Sequence, residues 1–215
     1  MFRWPLILLF TLSSFYVLGQ EERDLEIWNK NRFQVNPGKN IVIDVAEKIQ
    51  YSKNSELLRV KYAELYVGHI PVKWLKYGVG YRLVDYNQGN GIWLRENRPM
   101  LFANLNKKVN NFGFVFSNRF ECRTFMKAEN HFRYRQSFRV NFPSITNWGM
   151  NFYLSEETFI KFNSQRLHLA RFYSGLKAVT TKCFDLNFYY ALQKIKSTND
   201  WYSGDVLGLD LHFRI

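Results

Sequence analysis

Hydrophobic and polar positions alternate along this chain with a period of two. The pattern is cleanest over residues 206–215, where Leu207, Leu209, Leu211, Phe213 and Ile215 form one row and Gly208, Asp210, His212 and Arg214 the other. Successive side chains of a strand project to opposite faces, so this is the signature of a strand. The same alternation recurs upstream. Over 111–126, Phe112, Phe114, Phe116 and Phe120 oppose Ser117, Arg119, Glu121 and Arg123, and over 130–142, Phe132, Tyr134, Phe138 and Val140 oppose His131, Arg133, Arg135, Ser137 and Arg139. Leu75, Tyr77, Val79, Tyr81 and Leu83 oppose Lys76, Gly78, Gly80 and Arg82, while Phe184, Leu186, Phe188 and Tyr190 oppose Asp185 and Asn187. The pattern predicts strands near 25–35, 40–51, 57–69, 73–86, 92–106, 111–126, 130–142, 147–156, 165–178, 181–194 and 203–215. Turn residues punctuate them at Asn36-Pro37-Gly38, 87–91, Asn110-Asn111, Pro143-Ser144 and 197–200. With no linker, low-complexity tract or heptad repeat between them, the segments read as one continuous meander.

Long strands carrying an apolar row on one face and dense charge on the other suit a barrel with lipid outside and polar groups inside. A small soluble barrel would show the reverse. The predicted fold is therefore all-β, a transmembrane antiparallel up-and-down β-barrel. Single-chain bacterial barrels have even strand numbers as a rule, which predicts ten or twelve strands and makes one segment a mis-division, most readily around 156–165. The closing row Leu209, Leu211, Phe213 and Ile215 also resembles the terminal strand by which outer-membrane proteins are recognised by the barrel assembly machinery.

The amino-terminal stretch changes the picture by adding an address. Arg3 precedes an apolar run from Pro5 to Leu18, followed by Gly19 and the polar Gln20-Glu21-Glu22-Arg23. This reads as a secretory signal peptide over residues 1–19, cleaved after Gly19, leaving 20–215 as one barrel domain. No other segment is apolar enough to span a bilayer as a helix. A negative mean hydropathy does not argue against strands whose outward residues alternate. The aromatic share of 18% fits strands with aromatic girdles. A formal net charge of +12 would suit nucleic acid in another compartment, but export points instead to contact with anionic outer-membrane lipids, and no nucleic-acid partner is expected. Cys122 shares a face with Phe116 and Phe120, and Cys183 one with Asp185 and Asn187, so two unpaired thiols are expected rather than a disulfide.

The runs ENRP at Glu96–Pro99, SNRFECR at Ser117–Arg123, FRYR at Phe132–Arg135, SEETF at Ser155–Phe159 and RFYSGL at Arg171–Leu176 follow one another in order over most of the chain. Together they resemble the domain of unknown function 2490 family of predicted outer-membrane β-barrels from Bacteroidota. Ala170 and Cys122 depart from that pattern. The resemblance implies a fold and an outer-membrane location in a Gram-negative envelope, and no activity.

The residues in these runs form a candidate interior charge network of Glu96, Arg98, Arg119, Glu121, Arg123, Arg133, Arg135, Glu157 and Arg171. A tight turn near Lys127-Ala128-Glu129 would set Glu121 opposite Arg135 or diagonal to Arg133, the preceding hairpin would bring Glu96 and Arg98 beside Arg119 and Glu121, and the next would bring Glu157 to Arg133. Guanidinium groups suit such pairing because they bind carboxylates through two parallel hydrogen bonds. One reading is an anion-binding interior passing a small anionic solute. The other, preferred here, is a salt-bridged plug that fixes strand register, because barrels of about eight strands are filled by side chains. The basic excess makes the interior electropositive, a structural or narrow-pore barrel. The alternatives are an outer-membrane lipid-modifying enzyme, for which His212 with Asp210 and His131 near Ser137 are the only candidates, and a soluble periplasmic ligand-binding barrel. No GxSxG nucleophile motif is present and the four histidines, 69, 131, 168 and 212, lack metal-ligand spacing, so no catalytic residue, metal or cofactor is assigned.

Overall fold

The computed structural model describes residues 23–52, 54, 56–89, 91–163, 166–196 and 200–215, and the leader predicted over residues 1–19 lies outside them. The described residues form eleven strands: β1 (Asp24–Gly38), β2 (Ile41–Ser52), β3 (Leu57–Val72), β4 (Leu75–Asn87), β5 (Trp93–Val109), β6 (Phe112–Phe125), β7 (His131–Asn141), β8 (Asn151–Lys161), β9 (Arg166–Thr180), β10 (Phe184–Lys196) and β11 (Trp201–Arg214). They pair in chain order and close into one barrel where β1 meets β11. Chain neighbours are antiparallel, but the closing pair is parallel, running from Asp24 opposite Gly204 to Gln34 opposite Arg214.

Eleven strands correct the expectation of ten or twelve. Eleven strands reverse direction ten times, an even number, so the last strand runs the same way as the first and the seam has to adopt the slanted parallel bonding pattern. The alternation itself marks eleven segments; the even count comes only from the general rule for single-chain barrels, which this chain does not follow. No strand is split near 156–165: β8 continues to Lys161 and β9 starts at Arg166. β8 begins later than predicted because 142–150 is a connection, with the Ile145 N–H donating to the Met150 carbonyl at 2.8 Å and Gly149 in the left-handed region at φ 83°. Within β5 the ladder to β6 is interrupted at Arg98 and Pro99, where proline has no N–H to donate.

The alternation is resolved as the rows suggested. Ile27, Val45, Leu65, Leu101, Phe138, Phe152, Phe172 and Leu207 are exposed on the outer face, Val79 to 54%. Trp93 and Trp201 stand exposed near the end where β1 starts, here the Asp24 end, and Trp74 and Trp148 near the opposite, Arg214 end. Inside, Trp28, Tyr153, Tyr189, Ala191 and Val206 form one buried apolar cluster, and Tyr66, Met100 and Phe102 a second. Glycine lets the rings lie against the wall: a Cβ at Gly208 would come 1.9 Å from Tyr189 Cζ, and one at Gly175 2.2 Å from Tyr153 Cζ.

Both cysteines are free, Cys122 half-buried and Cys183 exposed. Their predicted opposition across a strand wall is corrected, because Cys183 lies in the connection before β10 and is not part of a strand. Among the described residues no helix is long and apolar enough to cross a membrane.

Candidate functional site: an ion-pair belt inside the barrel

Each strand that contributes charge does so at alternate, inward positions, so neighbouring strands bring their charged side chains to one level. On β5 and β6 the carboxylates of Glu96 and Glu121 have no solvent exposure. Glu96 is clamped by two guanidinium groups: Arg98 donates from Nε at 2.6 Å and Nη2 at 2.9 Å, Arg123 from Nε at 2.8 Å and Nη2 at 2.7 Å. The Tyr86 hydroxyl donates to the same carboxylate at 2.9 Å and accepts from both arginines. Glu121 receives Arg133 through Nε at 2.7 Å and Nη2 at 2.5 Å, with Arg98 and Arg119 each 3.9 Å away. The Glu96 contacts are bidentate, whereas both Arg133 donors converge on the Oε2 of Glu121; all are charge-assisted contacts in a confined interior, where the fork of Arg outperforms Lys.

The contacts continue round the wall in both directions. On β8, Glu157 accepts from Arg135 Nε at 2.5 Å, Arg171 Nη1 at 3.4 Å and the Tyr173 hydroxyl at 3.1 Å. Arg171 Nε donates to Gln193 at 2.8 Å, and Gln193 donates to Glu26 of β1 at 3.2 Å, carrying the network across the region of the seam. Glu26 also accepts from the Trp28 indole at 2.7 Å, and Lys48 caps that ring with its ammonium 3.6 Å from a ring centroid. On the far side Glu64 of β3 pairs with Lys30 of β1 at 2.5 Å and with Arg82 of β4, whose Nε lies 2.8 Å away. The result is a belt of paired charge around the inner wall.

All nine residues predicted for the network face inward and take part in this belt, but the partners differ in two places. Glu121 lies directly opposite Arg133, while Arg135 is opposite Arg119, because the β6–β7 hairpin spans 126–130 and shifts the register by one inward step. Glu157 therefore meets Arg135 and Arg171, and Arg133 is opposite Lys161. Glu26, Lys30, Tyr86, Tyr173 and Gln193 were missed. Glu26, Trp28, Lys30 and Arg32 alternate with Ile27 and Phe33 in the first strand, and the same period-two test would have found the charged members.

The belt separates two cavities. One, of about 300 Å³, lies toward the Asp24 end and is lined by Lys48, Arg59, Arg98, Arg123, His168 and others of the belt. The second, of about 310 Å³, lies toward the Arg214 end and is lined by Arg32, Arg119, Arg139, Lys177, Ser117 and Ser137. Arg135 borders both.

His131 contacts Arg123 at 3.2 Å and the Glu129 carbonyl, away from Ser137, and His212 lies 3.3 Å from Asp185 rather than pairing with Asp210. Among the described residues no group of three or more His, Cys, Asp or Glu side chains is arranged to hold a metal. Leu209, Leu211, Phe213 and Ile215 fall on the outer row, with Phe213 stacked on Phe33 at 5.0 Å. The profile of a family described as protein of unknown function (DUF2490) matches residues 25–204, a span that contains the five runs from Glu96–Pro99 to Arg171–Leu176. No curated protein and no solved structure matches the chain.

Proposed function

The chain belongs to the DUF2490 family, and from that premise we propose that it is an outer-membrane β-barrel of structural or narrow-pore type, exported by a cleaved signal peptide and crossed by a plugged, electropositive lumen. One observation carries the reading: the barrel buries its charge and exposes its aliphatic and aromatic side chains. Glu96, Arg98, Glu121 and Arg133 are buried inside while Val79, Leu101 and Phe152 stand exposed outside. Lipid is the solvent for which that arrangement is favourable, because every strand bond is closed within the barrel and the outer row faces hydrocarbon. The tryptophans near both rims fit the two interfaces of a bilayer. A soluble ligand-binding barrel needs the opposite disposition.

The belt limits what passes. Its side chains are held to one another across the interior, and the spaces on either side are small, so a wide aqueous path of the kind found in much larger barrels is not expected. Basic groups exceed acidic ones among the cavity linings, so what does pass or bind is anionic. The partners proposed are outer-membrane lipids and, through Leu209, Leu211, Phe213 and Ile215, the assembly machinery. Planar-bilayer recording of the purified protein tests the reading. The expected result is low, anion-preferring conductance; large cation-selective steps would overturn both the plug and the sign of the lumen.

A further inference from the structure

The two cavities differ in how their charge is compensated. Around the Asp24-end cavity, Arg82, Arg98, Arg123, Arg133, Arg135 and Arg171 each contact a carboxylate of the belt, and among the described arginines and lysines of the lining only Arg59 and Lys48, the latter seated over the Trp28 ring, form no ion pair. Around the Arg214-end cavity the cations outnumber their partners. Arg139 and Lys177 form no ion pair among the described residues; Arg139 is held only over the Tyr153 ring, 4.4 Å from its centroid. Arg119 reaches Glu121 no closer than 3.9 Å, and its Nη1 is buried without a hydrogen-bond partner. Glu157, the one carboxylate in the lining, is already held by Arg135, Arg171 and Tyr173. Asp185, the nearest acid of β10, is occupied by Arg214 at 2.5 Å. Arg32 completes the lining on β1, next to Asp210 of β11 through the pairing of Arg32 with His212.

Half-buried cationic side chains in excess of their counter-charge, gathered around a confined space, make a site for an anion. The lining adds neutral hydrogen-bonding groups suited to oxygen ligands. Ser117 lies directly opposite Ser137 on the inner face of β6 and β7, and Asn104 and Asn141 border the same space. These side chains are half-buried, so water and small solutes reach them. At about 310 Å³ the cavity has room for about ten waters at ~30 Å³ each, enough for a tetrahedral oxyanion and part of its hydration.

We propose that this cavity is a binding site for a compact phosphate-type oxyanion, with Arg119, Arg139 and Lys177 as its charged ligands and Ser117 and Ser137 as hydrogen-bond donors. The proposal rests on the electropositive-lumen reading and gives that lumen a ligand class and a place. Arg is suited to the role because its fork of donors matches phosphate oxygens, and Lys adds a point charge. The ligand group is a phosphate, whether free in solution or carried on a lipid headgroup.

The test is titration calorimetry on the folded protein in zwitterionic detergent with inorganic phosphate, and separately with short-chain phosphatidic acid. Saturable binding of inorganic phosphate is the expected result and identifies a free anion; saturation with phosphatidic acid alone identifies a headgroup and supports the same site. The Arg139→Gln, Lys177→Gln double variant should weaken binding about tenfold or more, because charge-assisted hydrogen bonds are lost. It leaves no carboxylate unpaired and should keep the heat-modifiable gel mobility of the folded barrel. Arg59→Gln, at the other end, should leave the affinity unchanged. Absence of saturable binding by either ligand overturns the proposal, as does equal weakening by Arg59→Gln. Bilayer recording on the same preparation keeps the two readings apart, since low anion-preferring conductance without phosphate binding sinks the site and spares the barrel.

Discussion

Removing Glu96 should cost this barrel more than almost any other single truncation. Its carboxylate has no solvent exposure and accepts four guanidinium hydrogen bonds and one from Tyr86, so Glu96→Ala orphans Arg98 and Arg123 together. Those arginines are only 3% and 9% exposed and cannot turn to bulk water. Breaking a buried ion pair by deleting one partner costs about 3–5 kcal/mol. Two features pull in opposite directions here. A second stranded guanidinium raises the cost, while Glu121, 3.9 Å from Arg98, and the cavity that Arg123 borders lower it. An expected loss of about 4 kcal/mol corresponds to about a thousandfold shift in the folded-to-unfolded ratio. Glu47 provides the comparison, since its carboxylate is exposed and accepts one bond from Asn31 at 3.0 Å, and Glu47→Ala should lose less than about 1 kcal/mol. Glu96→Gln keeps the shape and one acceptor, so it should fall between them. Urea unfolding in detergent micelles, followed by tryptophan fluorescence and heat-modifiable mobility, reads all three. Midpoints for Glu96→Ala and Glu47→Ala that agree to within error would refute the reasoning and mean that water, not the carboxylate, solvates the arginines.

Gly208→Ala should lose about 1–3 kcal/mol by driving Tyr189 off the wall, whereas Gly204→Ala, whose Cβ would meet nothing closer than 3.6 Å, should be nearly silent; equal unfolding midpoints would remove the close-approach argument. Val79→Arg distinguishes lipid from water as the solvent of the outer face. At a 54%-exposed position a soluble barrel would tolerate the arginine, but mid-depth in lipid it should cost about 2–4 kcal/mol, read as a lowered yield of folded protein in vesicles.

What was legible in the sequence was whatever depends on period two. Strand existence, the inward sense of Arg119, Glu121 and Arg123 and the outward sense of Phe112 and Phe120 all follow from alternation, which is local and survives errors in boundaries. Register is not local. A difference of one inward step in the β6–β7 hairpin moves Glu121 from Arg135 to Arg133 without changing any residue's face, so the membership of the network could be read while its pairing could not. Closure lies further still from the pattern. Whether β11 meets β1 in parallel is decided by the parity of the strand count, and a general rule about barrels outweighed eleven segments in plain view. The Arg214-end cavity was invisible for the same reason, since it depends on which arginines remain after pairing.

The parallel seam has a consequence for how the chain must reach its folded state. Every other strand pair is a hairpin that forms between near neighbours in the chain, but Asp24 meets Gly204, and Lys30 meets Asp210, only after the whole meander exists. Closing that junction carries the largest loop entropy in the molecule and ought to come last, leaving two unsatisfied edges until it does. Circular permutation of an antiparallel-closed barrel needs only a short loop between its first and last strands. Here the ends Asp24 and Arg214 lie at opposite mouths, so a joining segment would have to travel the height of the wall, and a permutant built with a hairpin linker should fail to close.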